Sequence, residues 1–279
     1  MTTANTIKLA AETPGDAAAT PVAVAPLSIM GVGVMPFESY EQAVSHVEGM
    51  IEAGRKCFCV AVNPEKVYRA MHDPRVMESL VQANIGICDG IGVVWASRLL
   101  HHRSMKRCTG CDLFFHLVAR AAERGWKVFL LGASAESNAQ AAASLAERCH
   151  GLQVVGRQDG YFKDSGEVIA KINDSGAQML FVAMGSPRQE LWVTEHRDAI
   201  QTPFCMGVGG TFDVASGMAK RAPRIFRKTG TEFLFQLVTR PGWSTKVRLE
   251  RTLARFRFLL AVARMAWFGP KEKLVADTQ

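Results

Sequence analysis

Long apolar runs are missing from this 279-residue chain. The run Phe258–Ala263 falls far short of the roughly 20 residues that a bilayer-spanning helix needs. The N-terminus offers no apolar stretch behind basic residues, so no secretory signal is expected. A disulfide framework is excluded as well. The seven cysteines are odd in number and scattered, and Cys57, Cys59, Cys88 and Cys205 lie in strand-like apolar runs, as reduced thiols of a cytoplasmic protein do. Cys108-Thr109-Gly110-Cys111 is a lone C-x-x-C without the further ligands that zinc requires. There is no Asp-x-Asp, no G-x-S-x-G, no H-E-x-x-H and no complete G-x-G-x-x-G or Walker sequence. Nothing therefore announces a metal-bound nucleotide, a serine hydrolase or a zinc protease, and no metal or cofactor is expected. Residues 2–26 lack aromatics and consist largely of Ala, Thr and Pro, the composition of a disordered tail.

Acidic residues are scarce at the other end. From Met218 onward there are 14 Lys/Arg against 4 Asp/Glu, a balance of +10, whereas the preceding 217 residues hold 19 basic and 22 acidic residues. A basic tail on a near-neutral body points to an anionic partner: a membrane surface, a nucleic acid or a pyrophosphate.

Apolar strand-like runs at Leu27–Val34, Cys57–Val62, Ile85–Cys88, Lys127–Leu131, Gln153–Val155, Met179–Ala183 and Phe204–Val208 alternate with helical patterns. The helices are expected at Tyr40–Ala53, Glu65–Met71, Asp112–Arg124, Ala135–Cys149, Asp164–Asn173 and Pro187–Ala199. Asn63-Pro64 reads as an N-cap followed by proline in the first turn. The alternation predicts an α/β fold, a Rossmann-like and mostly parallel sheet with helices on both faces. Residues 27–217 form the expected catalytic domain and 218–279 a basic helical appendage.

Ser244–Phe268 contains neither Gly nor Pro and reads as one helix. Leu249, Leu253, Phe256, Leu260, Ala263 and Trp267 fall on one stripe, with Arg248, Arg251, Arg255, Arg257 and Arg264 to its sides, while Phe258 and Met265 lie opposite. Such a helix suits an interface with anionic lipid. The alternative is a helix packed on the body with its arginines in solvent.

Candidate site residues stand where strands end, the ligand-binding edge of an open parallel sheet. Asp89 follows Ile85–Cys88 and precedes glycine, a position for a general base or for a helix N-cap. Asn63 ends the preceding run and either contacts a ligand or caps the next helix. Gly132, in Leu131-Gly132-Ala133-Ser134, opens a turn whose N–H groups suit a phosphate. Gln189 sits in the first turn after Ser186-Pro187, beside Glu190. Gly207, Gly209 and Gly210 permit close backbone approach, and Thr211 and Asp213 offer polar contacts.

Taken in order, Asn63-Pro64-Glu65, Asp89-Gly90-x-Gly92-Val93-Val94, Arg107-x-x-Gly110-x-Asp112-Leu113, Leu131-Gly132, Gly185-x-Pro187-x-Gln189-Glu190, Gly207-Val208-Gly209-Gly210 with Phe212-Asp213, and Arg221-Ala222-Pro223 resemble the WecG/TagA/CpsF family of glycosyltransferases. The resemblance runs from about Ile29 to Arg257. It implies an inverting, metal-independent transfer of a sugar from a UDP-sugar to a polyprenyl-diphosphate-linked saccharide in cell-surface or exopolysaccharide synthesis. The enzyme would work peripherally at the cytoplasmic face of the membrane, with no nucleic-acid partner; family members can form homo-oligomers. It further implies Asp89 as the base, Asn63, Arg107 and Gln189 as donor or acceptor contacts, and Arg221 and Arg224 as diphosphate contacts. Family donors include UDP-N-acetylmannosamine, UDP-N-acetylmannosaminuronate and UDP-glucose. Two positions depart from the pattern: Ala61 replaces a common Thr, and Gln236 replaces an Arg after Gly230-Thr231-Glu232-Phe233. A nicotinamide-dependent nucleotide-sugar enzyme is the alternative class, without the glycine fingerprint such proteins use.

Overall fold

The computed structural model describes residues 25–239 and 244–269. The expected N-terminal tail lies, up to residue 24, outside them. The strands are β1 (Leu27–Ile29), β2 (Val32–Val34), β3 (Cys57–Val62), β4 (Ile85–Cys88), β5 (Lys127–Gly132), β6 (Gln153–Gln158), β7 (Met179–Ala183) and β8 (Phe204–Gly207). The helices that matter for packing on the body are α1 (Tyr40–Glu52), α2 (Pro64–Ala70), α3 (Pro74–Val81), α4 (Ile91–His101), α5 (Gly110–Arg124), α6 (Ala135–Arg148), α7 (Ser165–Asp174), α8 (Arg188–Glu195) and α9 (Thr211–Ala215). Three more follow: α10 (Arg224–Thr229), α11 (Glu232–Thr239) and α12 (Thr245–Phe268).

Six strands form one parallel sheet in the order β4-β3-β8-β7-β5-β6. Its side chains alternate between two cores. Phe58, Val60 and Val62 face the cluster that holds α2, α4 and α12, whereas Cys57, Cys59 and Ala61 face the one that holds α1, α5 and α9. Burial on both faces is why these strands read as continuous apolar runs. The single strand expected over Leu27–Val34 is instead an antiparallel hairpin, folded back at Met30-Gly31, where both residues have positive φ. The hairpin shields the β4 edge through the Met35–Ile87 bridge and a 2.7 Å hydrogen bond from the Met35 N–H to the Gly86 carbonyl.

Local chemistry sets the helix starts. Ser39 accepts from the Gln42 N–H at 3.1 Å, and Asn63 from the Lys66 N–H at 3.0 Å with Pro64 in the first turn. The helix expected at Asp112 starts two residues earlier, because the Thr109 hydroxyl caps it. The helix expected over Pro187–Ala199 ends at Glu195.

Helix α12 begins at an Ser244 cap and lies against α2 and α4. Its buried face is Phe258 and Val262, opposite the apolar stripe seen in the sequence; burying the two contributes about 1.5–3 kcal/mol each. The stripe points outward: Leu249, Phe256, Leu260 and Trp267 are all exposed. Arg251 and Arg255 turn toward the body and meet Glu65, at 2.8 and 3.7 Å; the Arg255 guanidinium also lies 4.9 Å from the Phe233 ring centroid. Glu65, almost fully buried, thus joins α2 to α12. Glu65→Ala removes the carboxylate that Arg251, Arg255 and, at 3.6 Å, Arg69 share. We expect it to cost about 2 kcal/mol, below the range for fully buried pairs because these arginines keep some solvent contact. Limited proteolysis should then cut between α11 and α12 at least several-fold faster than in the parent chain.

Candidate active site

A cavity of about 330 Å³ opens at the carboxyl ends of β3, β4, β7 and β8, a size that suits a small-molecule ligand. Asp89 lines it directly after β4, with its N–H bonded to the Val62 carbonyl at 2.9 Å. It caps nothing: the N-cap of α4 is Gly90, which makes no side-chain cap bond. Among the described residues no donor binds its carboxylate. Burial pushes the Asp89 carboxyl above its ordinary value; Lys66 opposes this, Glu232 adds to it, and Arg107 and Arg221 oppose it. A carboxyl so placed is a base whose affinity for a proton exceeds that of a surface aspartate.

Asn63 lines the same cavity from the end of β3. Its oxygen caps α2, and its amide NH₂ has no partner among the described residues, so the capping and ligand roles use different atoms. One turn into α2 stands Lys66, which the sequence analysis did not single out. Its ammonium pairs with Glu190 at 2.7 Å, both side chains buried. Glu190 also accepts from Gln189 Nε2 at 2.8 Å, and its second oxygen is buried without a partner among the described residues. Gln189 Oε1 in turn accepts from the Gly209 N–H at 3.0 Å. Gln189 therefore holds the loop that follows β8 through its side-chain oxygen, while its amide nitrogen is spent on Glu190. Gly207 makes this possible, since a Cβ there would lie 2.5 Å from Gln189 Nε2. Gly209 and Gly210 line the cavity on that loop.

Arg221 enters from the segment after α9. It meets Asp112 at 2.6 Å and donates to Cys111 Sγ, while its Nε is buried without a partner among the described residues. Burial works against its charge, but neighbours led by Cys111 and Asp112 outweigh it and raise its pKa. Asp112 is itself fixed by the Thr109 hydroxyl at 2.7 Å and the Tyr40 hydroxyl at 3.3 Å. Burial pushes the Cys111 thiol up to about 12, with Arg221 opposing, so it is a neutral wall group at physiological pH. Arg251 and Glu232 complete the wall from α12 and α11.

The other candidates lie elsewhere. Arg107 does not line the cavity; it pairs with Glu232 at 3.1 Å and donates to the Arg227 carbonyl, tying the α4–α5 loop to α10 and α11. Gly132 is also outside it. With φ +116°, its α-carbon lies so close to β7 that a Cβ would come within 2.5–2.8 Å of the Ala183 backbone, and the next N–H, of Ala133, is bonded to the Ala183 carbonyl. Asp213 accepts from the Ser137 hydroxyl at 2.9 Å, where α9 meets α6. Arg224 is exposed at the start of α10 and does not reach the cavity. Among the described residues no group of three His, Cys, Asp or Glu converges as a metal site, and no helix is long and apolar enough to cross a membrane.

Sequence reasoning missed Lys66, Cys111, Glu232 and Arg251. Only Lys66 carried a local signal, its place in the first turn after Asn63-Pro64.

The chain matches the family model described as "Glycosyl transferase WecG/TagA/CpsF family" over residues 27–272. It is also similar to the N-acetylglucosaminyldiphosphoundecaprenol N-acetyl-beta-D-mannosaminyltransferase of Bacillus spizizenii. The two are 36% identical over 220 residues, which cover 78% of this chain and 84% of the relative.

Proposed function

The chain belongs to the WecG/TagA/CpsF family of glycosyltransferases, and from that premise we propose that it moves a sugar from a UDP-sugar to a hydroxyl of a polyprenyl-diphosphate-linked saccharide, with inversion and without a metal. The observation that carries this reading is one cavity lined both by Asp89, a carboxylate whose pKa burial raises, and by the cationic groups Lys66 and Arg221. Asp89 takes the proton of the acceptor hydroxyl as its oxygen forms a bond to the anomeric carbon. The bond from that carbon to the UDP oxygen breaks, and the charge gathering on the departing diphosphate is met by Arg221 and Lys66. Fixed guanidinium and ammonium groups can thereby fill the role a divalent ion has in other sugar transfers. Gln189 acts beneath the substrate, by shaping the Gly209 loop. Asn63 Nδ2 is the proposed donor to a substrate oxygen.

The Bacillus relative's name describes N-acetylmannosaminyl transfer to an N-acetylglucosaminyl-diphospho lipid. UDP-N-acetylmannosamine is accordingly the first donor to test, with UDP-glucose second. The outward stripe of α12, flanked by arginines, supports a peripheral position on an anionic membrane surface, where the lipid-linked acceptor resides.

The test is UDP release from a panel of UDP-sugars, with a polyprenyl-diphosphate-linked N-acetylglucosamine acceptor and EDTA present. Acceptor-dependent release from one donor is expected, unchanged by EDTA. Loss of release on chelation would remove the metal-independent step, and acceptor-independent release would make the chain a hydrolase of the donor.

A further inference from the structure

Helix α4 starts two residues after Asp89 and keeps one face uncovered. Val93, Ala96 and Leu100 are buried in the core, whereas Trp95 and Leu99, one turn apart, are 50% and 44% exposed. From Gly90 to Arg107 the chain has no acidic residue and contains Arg98, Arg103, Lys106 and Arg107. Arg98 reaches across to the Ser104 hydroxyl at 2.9 Å, and Arg103 is exposed without a partner among the described residues. Lys106 pairs with Glu38 at 3.4 Å with both groups in solvent, a contact of small worth. Arg107 is engaged with Glu232. Tryptophan and leucine on a helix that also carries arginine are what the boundary between lipid headgroups and acyl chains selects.

This face is continuous with the helix already turned outward. Helix α12 packs on α4, and Leu259 Cδ2 lies 3.8 Å from where a Cβ on Gly92 would be. An isologous contact between two copies would bring two sets of Arg98 and Arg103 into one interface, which like-charge repulsion opposes. A bilayer of anionic lipid meets both the apolar pair and its cations.

We propose that the Trp95–Leu99 face of α4, with Arg98 and Arg103 beside it, is a second lipid-contacting surface that seats the body itself on an anionic membrane next to α12. This rests on the membrane reading above and extends it from the C-terminal helix to the catalytic body. The consequence is positional. Helix α4 has 11 residues and is about 16 Å long, so a surface touching it lies within roughly that distance of Asp89, at its start.

Flotation of the full chain with vesicles of phosphatidylcholine containing one third phosphatidylglycerol tests it. Trp95→Ser/Leu99→Ser should lower partitioning by about tenfold, with the parent's circular dichroism and melting temperature kept. Arg98→Gln/Arg103→Gln should lower it on anionic vesicles and leave it unchanged on pure phosphatidylcholine. Brominated acyl chains should quench a share of the fluorescence that is lost in Trp95→Phe. Phe256→Ser/Leu260→Ser on α12 separates the two ideas. If that variant detaches while both α4 variants bind like the parent, the α4 proposal is overturned and the membrane reading stands. If the parent chain fails to float, both fall. A concentration-dependent dimer, seen by sedimentation and abolished by Trp95→Ser/Leu99→Ser, would assign the face to self-association and overturn the proposal.

Discussion

Asp89→Asn is expected to lower kcat by about a thousandfold while UDP-sugar affinity stays within about twofold, because the substitution removes proton acceptance and keeps shape. In the parent enzyme kcat/KM should fall as pH falls, along a limb displaced upward from the ordinary aspartate range near 4. Burial is the cause, offset in part by Lys66. The stability effect has the opposite sense. A carboxyl whose folded pKa is raised costs nothing below its unfolded pKa and destabilises increasingly as pH rises through the folded value. At neutral pH the Asn variant should therefore melt at a higher temperature than the parent, with the gap closing toward pH 4. Full activity in Asp89→Asn would remove the base assignment. A variant that is inactive and less stable would mean that Asp89 matters to the fold and leave the base unassigned.

Arg221→Met should cost a hundredfold to a thousandfold in kcat, the scale of one preorganised charge contact to a developing anion. Its signature differs from that of Asp89: the loss should be nearly uniform across pH. Arg221→Lys should recover a minor part, since a point charge replaces a fork that Asp112 and Cys111 hold in place. Asp112→Asn should weaken the hold without removing the cation, and its deficit should be smaller. If Arg221→Met raises KM alone, the arginine binds ground state and transition state equally, and its role at the departing diphosphate is wrong.

The frame of the fold was legible because five of the six strands of its sheet, all but the edge strand β6, are buried on both faces. A parallel strand such as Cys57–Val62 is an unbroken apolar run, and Asn63-Pro64 marks both its end and the next helix's start. The Leu27–Val34 hairpin was not legible, since Met30-Gly31 lacks the turn pairs that announce a two-residue loop. Helix α4 was hidden by its opening Gly90-Ile91-Gly92, and α10 and α11 by their shortness. For α12 the spacing of the apolar stripe is regular, yet Phe258 and Val262, off that stripe, make the contact with the body. Periodicity tells which residues share a face; it does not tell which face meets the core. In the cavity, residues at strand ends could be found from position alone. Glu232 and Arg251 could not, because they arrive from helices more than 140 residues after Asp89.

The clamp at Glu65 changes how strongly the C-terminal segment can adhere to a charged surface. Its formal balance from Met218 onward is +10. Two unit charges of that balance are already offset inside the molecule, by Asp112 at Arg221 and by the Glu65 carboxylate that Arg251 and Arg255 share. A basic residue near an anionic leaflet contributes about 1 kcal/mol, so adhesion should be weaker by about 2 kcal/mol than the formal count suggests. The number of counterions displaced on landing should shrink in proportion, and binding should respond to added salt as that of a segment of distinctly lower valence.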